Sequence, residues 1–136
     1  MRIFLDANIL FSAAKSDGAV RELLTLLDSA GHECCVNSYV VEEARRNFFA
    51  KAPEAIAVLD RLLSRMTMAK AQPSDATLEV SLPLPAKDRP VLAAAIRQSC
   101  ALLVTGDRTH FGALYGTTVH GVTVHSPRSL AEAILV

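Results

Sequence analysis

The sequence predicts a three-layer α/β/α domain with a mostly parallel central sheet. Short, almost wholly apolar segments alternate with amphipathic segments along nearly the whole chain. Strands that are apolar on both faces are typical of a parallel sheet covered by helices. The length of 136 residues predicts a single domain spanning residues 1–136, and 51% hydrophobic residues suffice for its core.

Short apolar runs indicate where the strands lie. The first run, Arg2–Leu5, ends abruptly at Asp6. Such runs, bounded by polar or turn-forming residues, are typical of buried strands. The further predicted strands are His32–Val36, Ala101–Val104 and Val119–Val124, with Thr67–Gln72 as a weaker candidate.

Helical periodicity and capping residues predict the segments between the strands. Around Leu23–Leu27 the apolar residues fall on one helical face, and Gly31 ends that helix. The other helices are predicted to begin at Asn37–Ser38, at Pro53, at Pro90 and after Ser126–Pro127. Pro73–Pro85 contains three prolines and is predicted to be a loop.

Composition excludes several classes of protein. Lys and Arg total 14, as do Asp and Glu, so contact with nucleic acid depends on a local basic patch. Aromatic residues are only 5%, which argues against a base-stacking platform. No apolar run approaches the roughly 18–20 residues that cross a bilayer, and Asp6 interrupts the start that a signal peptide needs. We therefore expect a cytoplasmic protein without membrane contact, whose three cysteines are buried thiols.

Two acidic residues directly follow predicted strands. Asp6 ends the first strand, and Asp107 comes shortly after Ala101–Val104. Parallel strands end at the same edge of a sheet, and ligands of α/β proteins bind outside that edge. We therefore expect these two carboxylates to lie close together.

Three further acids are predicted at the same edge because they open helices. Asp88 precedes the helix that leads into Ala101–Val104, although it could instead serve as a helix cap. Glu42 and Glu43 lie in the first turns of the helix after His32–Val36. Adjacent helical residues point about 100° apart, so both cannot face one pocket. Glu43 adjoins the apolar face and is favoured.

Carboxylates crowded at one edge repel one another unless a cation is bound or some are protonated. Oxygen ligands select Mg²⁺ or Mn²⁺ over zinc. A cation held in this way can orient water and stabilise the charge of an attack on a phosphodiester. These residues therefore predict a metal-dependent nuclease.

Four segments of the chain occur in a recognisable order and spacing. They are Phe4–Leu10, Ser38–Asn47, Asp88–Ala95 and Leu103–Asp107, the last continuing into Arg108–Phe111. Together they resemble the motifs of the PIN domain family, particularly the toxin components of toxin–antitoxin systems. The resemblance covers essentially the whole chain.

This resemblance implies a ribonuclease that uses Mg²⁺ or Mn²⁺, is often the toxin partner of a small antitoxin and is often a homodimer. The family's catalytic, metal-binding acids correspond to Asp6, Glu43, Asp88 and Asp107, and its small polar positions beside the metal to Asn8 and Thr105. The chain departs from the family at Thr109, where many members carry a further acid. That departure is expected to weaken a second metal site.

Basic residues and histidines near the acids have two interpretations each. Arg45, Arg46, Arg89 and Arg108 either contact RNA phosphates or are solvated charges paired with acids. His110 precedes an aromatic residue and is interpreted as a packed loop residue rather than a proton shuttle. His120 and His125 stand five residues apart on one predicted strand, so they face opposite sides and form no metal pair.

Two other functions compete with the nuclease. The first is an inactive PIN-like module that binds RNA or protein, an alternative left open by Thr109. The second is a receiver-like signalling domain, which needs an Asp at the end of its central strand and a Lys after a later one. Here Asn37 follows His32–Val36 and no Lys follows Ala101–Val104, which disfavours signalling.

Overall fold

The computed structural model describes residues 1–70 and 75–134. Within them, six strands form one sheet. The strands are β1 (Arg2–Leu5), β2 (Glu33–Val36), β3 (Thr67–Met68), β4 (Leu102–Val104), β5 (Thr118–Val119) and β6 (Val122–His125). Their order is β3–β2–β1–β4–β6–β5, and only β5 and β6 pair antiparallel. The prediction of a mostly parallel sheet is confirmed.

Helices fill the connections between the strands. The α-helices of the described residues are α1 (Ala7–Lys15), α2 (Ala19–Ser29), α3 (Ser38–Lys51), α4 (Ile56–Leu63), α5 (Ala76–Ser81), α6 (Arg89–Arg97), α7 (Arg108–Phe111) and α8 (Pro127–Ile134). Helix α1 packs against α3 and α4, while α5 packs against α6 and α6 against β4. This layering is the predicted three-layer α/β/α fold.

Strand β1 occupies the middle of the sheet because both of its faces are apolar. Phe4 pairs in register with Cys35 on one side and with Leu103 on the other. All three side chains are fully buried. Burial on both faces is what distinguishes a central parallel strand from an exposed one.

The order in which strands are added to the sheet reverses at β1. From β1 it proceeds to β2 and β3, then crosses back to β4 on the other side of β1. Right-handed crossovers in opposite directions place their helices on opposite faces of the sheet. The reversal also opens a crevice at the carboxyl ends of β1 and β4, where the Asp6 amide donates to the Val104 carbonyl at 3.1 Å.

Helix α1 follows β1 without a loop, and the sequence patterns do not predict it. Asp6 has extended backbone angles, and its Oδ1 accepts a hydrogen bond from the Ala7 amide at 2.7 Å. The side chain therefore caps the helix at its first turn. Ile9 and Leu10 are buried on the inner face of α1, so the apolar patch after Asp6 belongs to a helix.

The prediction of a loop over Pro73–Pro85 is wrong, because α5 lies within it. Asp75 caps this helix by accepting a hydrogen bond from the Leu78 amide at 3.1 Å. Pro83 and Pro85 follow the helix, where they do not interrupt its hydrogen bonds. Residues 71–74, which include the first proline of the predicted loop, lie outside the described residues.

Two predicted strands also differ from the structure. Val119–Val124 is not one strand but a hairpin, in which β5 and β6 are joined through His120 (φ 48°) and Gly121 (φ 87°). Glycine suits this left-handed turn because it has no Cβ. The candidate Thr67–Gln72 is a strand only over Thr67–Met68, and its last two residues are outside the described part.

The core lies on both sides of β1, β2 and β4. Its largest fully buried side chains include Phe4, Phe48 and Phe111. The three cysteines are free and buried, as expected. Among the described residues, the helices are too short or too polar to cross a membrane.

Candidate metal centre

Asp6 lies buried at the carboxyl end of β1, with 5% of its surface exposed. While its Oδ1 caps α1, its Oδ2 accepts hydrogen bonds from the Thr105 hydroxyl at 2.8 Å and from the Asn8 amide at 3.1 Å. Burial raises the pKa of Asp6, although these hydrogen bonds partly offset the rise. The hydrogen bonds therefore fix the orientation of the carboxylate, but they do not fully offset the effect of burial on its pKa.

The end of β4 is joined to the start of α1 by side chains that sequence reasoning singled out. Thr105 is fully buried, and its hydroxyl also accepts a hydrogen bond from the Asp107 amide at 3.2 Å. Asn8 Oδ1 accepts from the Gly106 amide at 2.7 Å. A Cβ at Gly106 would lie 3.3 Å from that oxygen, so glycine favours the close approach of these two segments.

Asp107 is positioned by the short helix that it caps. Its Oδ1 accepts a hydrogen bond from the His110 amide at 3.1 Å, and its Oδ2 lies 2.7 Å from His110 Nδ1. The same Nδ1 is 3.2 Å from Asp88 Oδ2. Asp88, Asp107 and His110 thus present ligand atoms within 4.8 Å of one another.

Asp88 stands at the N-cap position of α6, yet its side chain makes no capping hydrogen bond. Its Oδ2 is buried and, among the described residues, forms no hydrogen bond of good geometry, although His110 Nδ1 lies 3.2 Å away. Burial raises the pKa of Asp88; the charge of His110 opposes this effect, and that of Asp107 adds to it. The carboxylate therefore faces the cluster instead of stabilising its own helix.

Glu43 is half-buried, whereas Glu42 is exposed. After burial and hydrogen bonding, the negative charge of Glu43 is a further cause of the raised pKa of Asp6. Tyr39, one helical turn before Glu43, has a pKa raised first by burial and then by the charges of Glu43, Asp88 and Asp6. Its phenol therefore lies close to three of the four acids.

These residues have the chemistry of a divalent cation site. Carboxylate oxygens dominate the group, and hard divalent cations favour oxygen ligands. Asp88 Oδ2 is buried without a donor, an arrangement that a cation would compensate. Burial raises the pKa of both Asp6 and Asp88, and the charge of a neighbouring carboxylate, Glu43 for Asp6 and Asp107 for Asp88, adds to the rise.

The four arginines of the sequence analysis differ in what they contact. Arg45 forms an ion pair with Asp60 at 2.7 Å, and Arg89 donates through Nε to the Leu84 carbonyl at 2.8 Å. Both guanidinium groups are therefore engaged by other parts of the protein. Arg46 and Arg108 are exposed instead. Their charges partly offset the burial that raises the pKa values of two tyrosines beside the acids.

Sequence reasoning missed the position of His110. It is not a packed loop residue but part of α7, where it contacts two of the acids. The i, i+3 spacing from Asp107 was the available signal, because residues three apart on a helix are neighbours. Tyr115 was also missed; its hydroxyl donates to the Thr105 carbonyl at 2.8 Å and fixes the end of β4.

A family model described as the PIN domain matches residues 2–109 of the chain. The chain belongs to the PIN domain family. The match spans β1 to the first residues of α7 and so includes all four acids of the PIN motifs. In this PIN domain Thr109, at the position of the further family acid, is exposed, and the next residue, His110, turns towards the carboxylates.

Solved structures share this PIN fold at low sequence identity. VapBC2 from Rickettsia felis, crystallised with a promoter DNA fragment, aligns with a TM-score of 0.70 and 18% identity over 93% of this chain and 98% of its own. VapBC-1 from nontypeable Haemophilus influenzae aligns with a TM-score of 0.65 and 13% identity over 94% of this chain and 99% of its own. PAE2754 from Pyrobaculum aerophilum aligns with a TM-score of 0.68 and 18% identity over 99% of this chain and 98% of its own. No curated protein sequence matches the chain significantly.

Replacing Thr105 by valine is expected to destabilise this PIN domain by about 1–3 kcal/mol, because a buried hydroxyl that bonds Asp6 Oδ2 and the Asp107 amide is lost. Thermal denaturation of the two proteins measures the difference. Thr105→Ser keeps the hydroxyl and is the matched control. A valine variant as stable as the serine variant would contradict the structural role of this hydrogen bond.

Proposed function

We propose that the chain is a metal-dependent endoribonuclease that hydrolyses RNA phosphodiester bonds. The observation that carries this proposal is the chain of contacts from Asp6 through Thr105 to Asp107 and through His110 to Asp88. The contacts gather carboxylates with too little compensating positive charge. Membership of the PIN domain family supports nuclease chemistry at this place.

We infer that Asp6, Glu43, Asp88 and Asp107 would hold Mg²⁺ or Mn²⁺. Such an ion supplies Lewis-acid stabilisation of the attacked phosphate and activates water at neutral pH. Asn8 and Thr105 orient the Asp6 carboxylate through their hydrogen bonds to Oδ2. Tyr39 donates to the Lys87 carbonyl at 2.8 Å, so it ties α3 to the segment that presents Asp88.

The RNA backbone would approach over a groove beside the acids. This groove has a volume of about 390 Å³ and is lined by Gly106, Arg108, Tyr115, Ser126, Pro127 and Arg128. Gly106 contacts Asn8, so the groove adjoins the metal centre directly. Two guanidinium groups suit phosphates, which are the part of RNA that carries charge but no sequence information.

Arg108→Ala is expected to weaken RNA binding at low salt and to reduce the salt dependence of binding by about one counter-ion. Fluorescence anisotropy with a labelled single-stranded RNA at several salt concentrations measures both quantities. The control is Arg61→Ala in α4, which precedes β3 and therefore lies towards the opposite edge of the sheet. Equal losses in the two variants would show that Arg108 contributes only bulk charge.

The nuclease is tested with purified protein and single-stranded RNA. We expect cleavage with Mg²⁺ or Mn²⁺, none with EDTA, and recovery when the ion is restored in excess. Absence of cleavage across RNAs of varied sequence with both ions would favour the inactive PIN-like binding module. Calorimetric titration with Mn²⁺ then separates the cases, because an inert scaffold shows no carboxylate-dependent binding.

We further propose that the protein acts in the cytoplasm as the toxin of a toxin–antitoxin pair and forms a homodimer. Two of the structural neighbours are VapBC assemblies by name, and one of them is bound to promoter DNA. Expression of the chain alone should arrest bacterial growth, and co-expression of a cognate antitoxin should relieve the arrest. Light scattering of the purified chain tests the dimer.

A further inference from the structure

His110 occupies a particular place among the acids. Its Nδ1 lies 2.7 Å from Asp107 Oδ2 and 3.2 Å from Asp88 Oδ2. It is the one nitrogen ligand atom in the group formed by these three described residues. An imidazole nitrogen this close to carboxylates at the starts of two helices can share one cation with them.

The carboxylate of Asp88 leaves one oxygen available to such a cation. Its Oδ2 is buried and has no hydrogen-bond donor within the described residues, although it points at the group. Within the part of the chain that the structure describes, this side chain makes no capping hydrogen bond to its own helix. Buried oxygens of this kind are normally satisfied by hydrogen bonds or by a metal.

The helix that carries His110 is held rigidly. Asp107 caps α7 by accepting from the His110 amide, and the next residue, Phe111, is fully buried. The imidazole and the Asp107 carboxylate are therefore fixed on the same side of a single helical turn. A ligand pair held before the ion arrives needs little reorganisation to bind it.

We propose that Asp88, Asp107 and His110 form a mixed carboxylate–imidazole site in which His110 Nδ1 binds the divalent ion directly. Imidazole suits first-row transition ions, whereas Mg²⁺ favours oxygen ligands and retained water. The site therefore prefers Mn²⁺ to Mg²⁺. This inference rests on the proposed metal-dependent function and assigns to His110 a role that the acidic motifs do not contain.

Neutral histidine can present Nδ1 as an acceptor when its proton resides on Nε2. The hydrogen bond from Nδ1 to Asp107 is then replaced by shared coordination of the same ion. The exposed Thr109 supplies no carboxylate at the position of the further family acid, and the adjacent imidazole provides a donor of another chemical type.

The test is pulsed electron paramagnetic resonance of the Mn²⁺-loaded full chain, which detects ¹⁴N nuclei bound to the ion. The wild type is expected to show a histidine nitrogen coupling that His110→Gln loses. Glutamine offers an oxygen in place of the nitrogen. The control, His32→Gln, changes a histidine at the amino end of β2 and should keep the coupling. Circular dichroism confirms that each variant is folded.

Calorimetric titration of the same proteins gives a second readout. His110→Gln is expected to reduce the ratio of Mn²⁺ to Mg²⁺ affinity about tenfold, mainly through weaker Mn²⁺ binding. Absence of nitrogen coupling in the wild type, or its persistence in His110→Gln, overturns the proposal. Equal losses of affinity for both ions would also overturn it, because His110 would then only orient Asp107.

The outcome for this site is separable from that for the nuclease. RNA cleavage by a wild type that lacks nitrogen coupling removes His110 from the ligands but leaves the nuclease intact. Nitrogen coupling without cleavage of any RNA supports the site and contradicts the proposed nuclease.

Discussion

Replacing Asp88 by asparagine is expected to lower the rate of RNA cleavage by about 10²-fold or more. The buried carboxylate lies 3.2 Å from His110 Nδ1 and shares the cluster with Asp107. Loss of its charge would weaken binding of the proposed ion, and stabilisation of the transition state by such an ion is worth several kcal/mol. Single-turnover cleavage of a labelled RNA in saturating Mn²⁺ measures the effect.

The same variant is expected to fold as well as the wild type without metal. Because burial raises the pKa of Asp88, ionisation of this carboxyl opposes folding. The folded state favours the protonated carboxyl, so the stability that Asp88 contributes in its protonated form is lost as the pH rises through its raised pKa. Asparagine cannot ionise, so melting temperatures without metal should favour Asp88→Asn near neutral pH and converge with the wild type in acid.

Asp88→Asn is a cleaner probe than Asp6→Asn. An amide nitrogen at the Oδ2 position of Asp6 would meet two groups that now donate to that oxygen, the Asn8 amide and the Thr105 hydroxyl. Loss of activity in Asp6→Asn would then combine lost charge with a disturbed junction of β1 and β4. Wild-type cleavage by a correctly folded Asp88→Asn would remove Asp88 from the catalytic group.

Phe111→Ala is expected to cost about 3–5 kcal/mol of stability, the usual range for removing a fully buried phenylalanine. In a domain of this size, such a loss lowers the melting temperature by roughly 10 °C or more. Because Phe111 anchors the turn that carries Asp107 and His110, Mn²⁺ affinity should fall as well. Thermal denaturation and metal titration measure the two effects.

Phe49→Ala is the matched control, since it removes the same side chain where 69% of the residue is exposed. Its effect on stability should remain within about 0.5 kcal/mol. If Phe111→Ala were as stable as Phe49→Ala, α7 would not depend on the buried ring.

The fold could be predicted because burial leaves a direct trace in the sequence. β1, β2 and β4 are short apolar runs, and only a covered parallel sheet buries both faces of such strands. The meeting of Asp6 with the end of β4 follows from that topology. In contrast, α1 was missed because Asp6 looks like the end of a strand, although the same side chain also starts a helix.

Other features depend on contacts between distant residues and leave no local pattern. The orphaned oxygen of Asp88 becomes visible only when α6 is placed beside α7. The contact of His110 with Asp88 likewise joins α7 to the start of α6, and neither segment alone indicates it. Similarly, the ion pair of Arg45 with Asp60 joins α3 to α4 and cannot be inferred from either helix alone.

The pairing of β1 with β4 has a consequence for the synthesis of the protein. Ile3 lies in register with Leu102, so almost a hundred residues must be synthesised after β1 before β4 emerges from the ribosome and can pair with it. Closure of so long a loop is a late event in folding. Until then Asp6 and Asp107 remain apart, so the growing polypeptide cannot yet assemble the acid cluster.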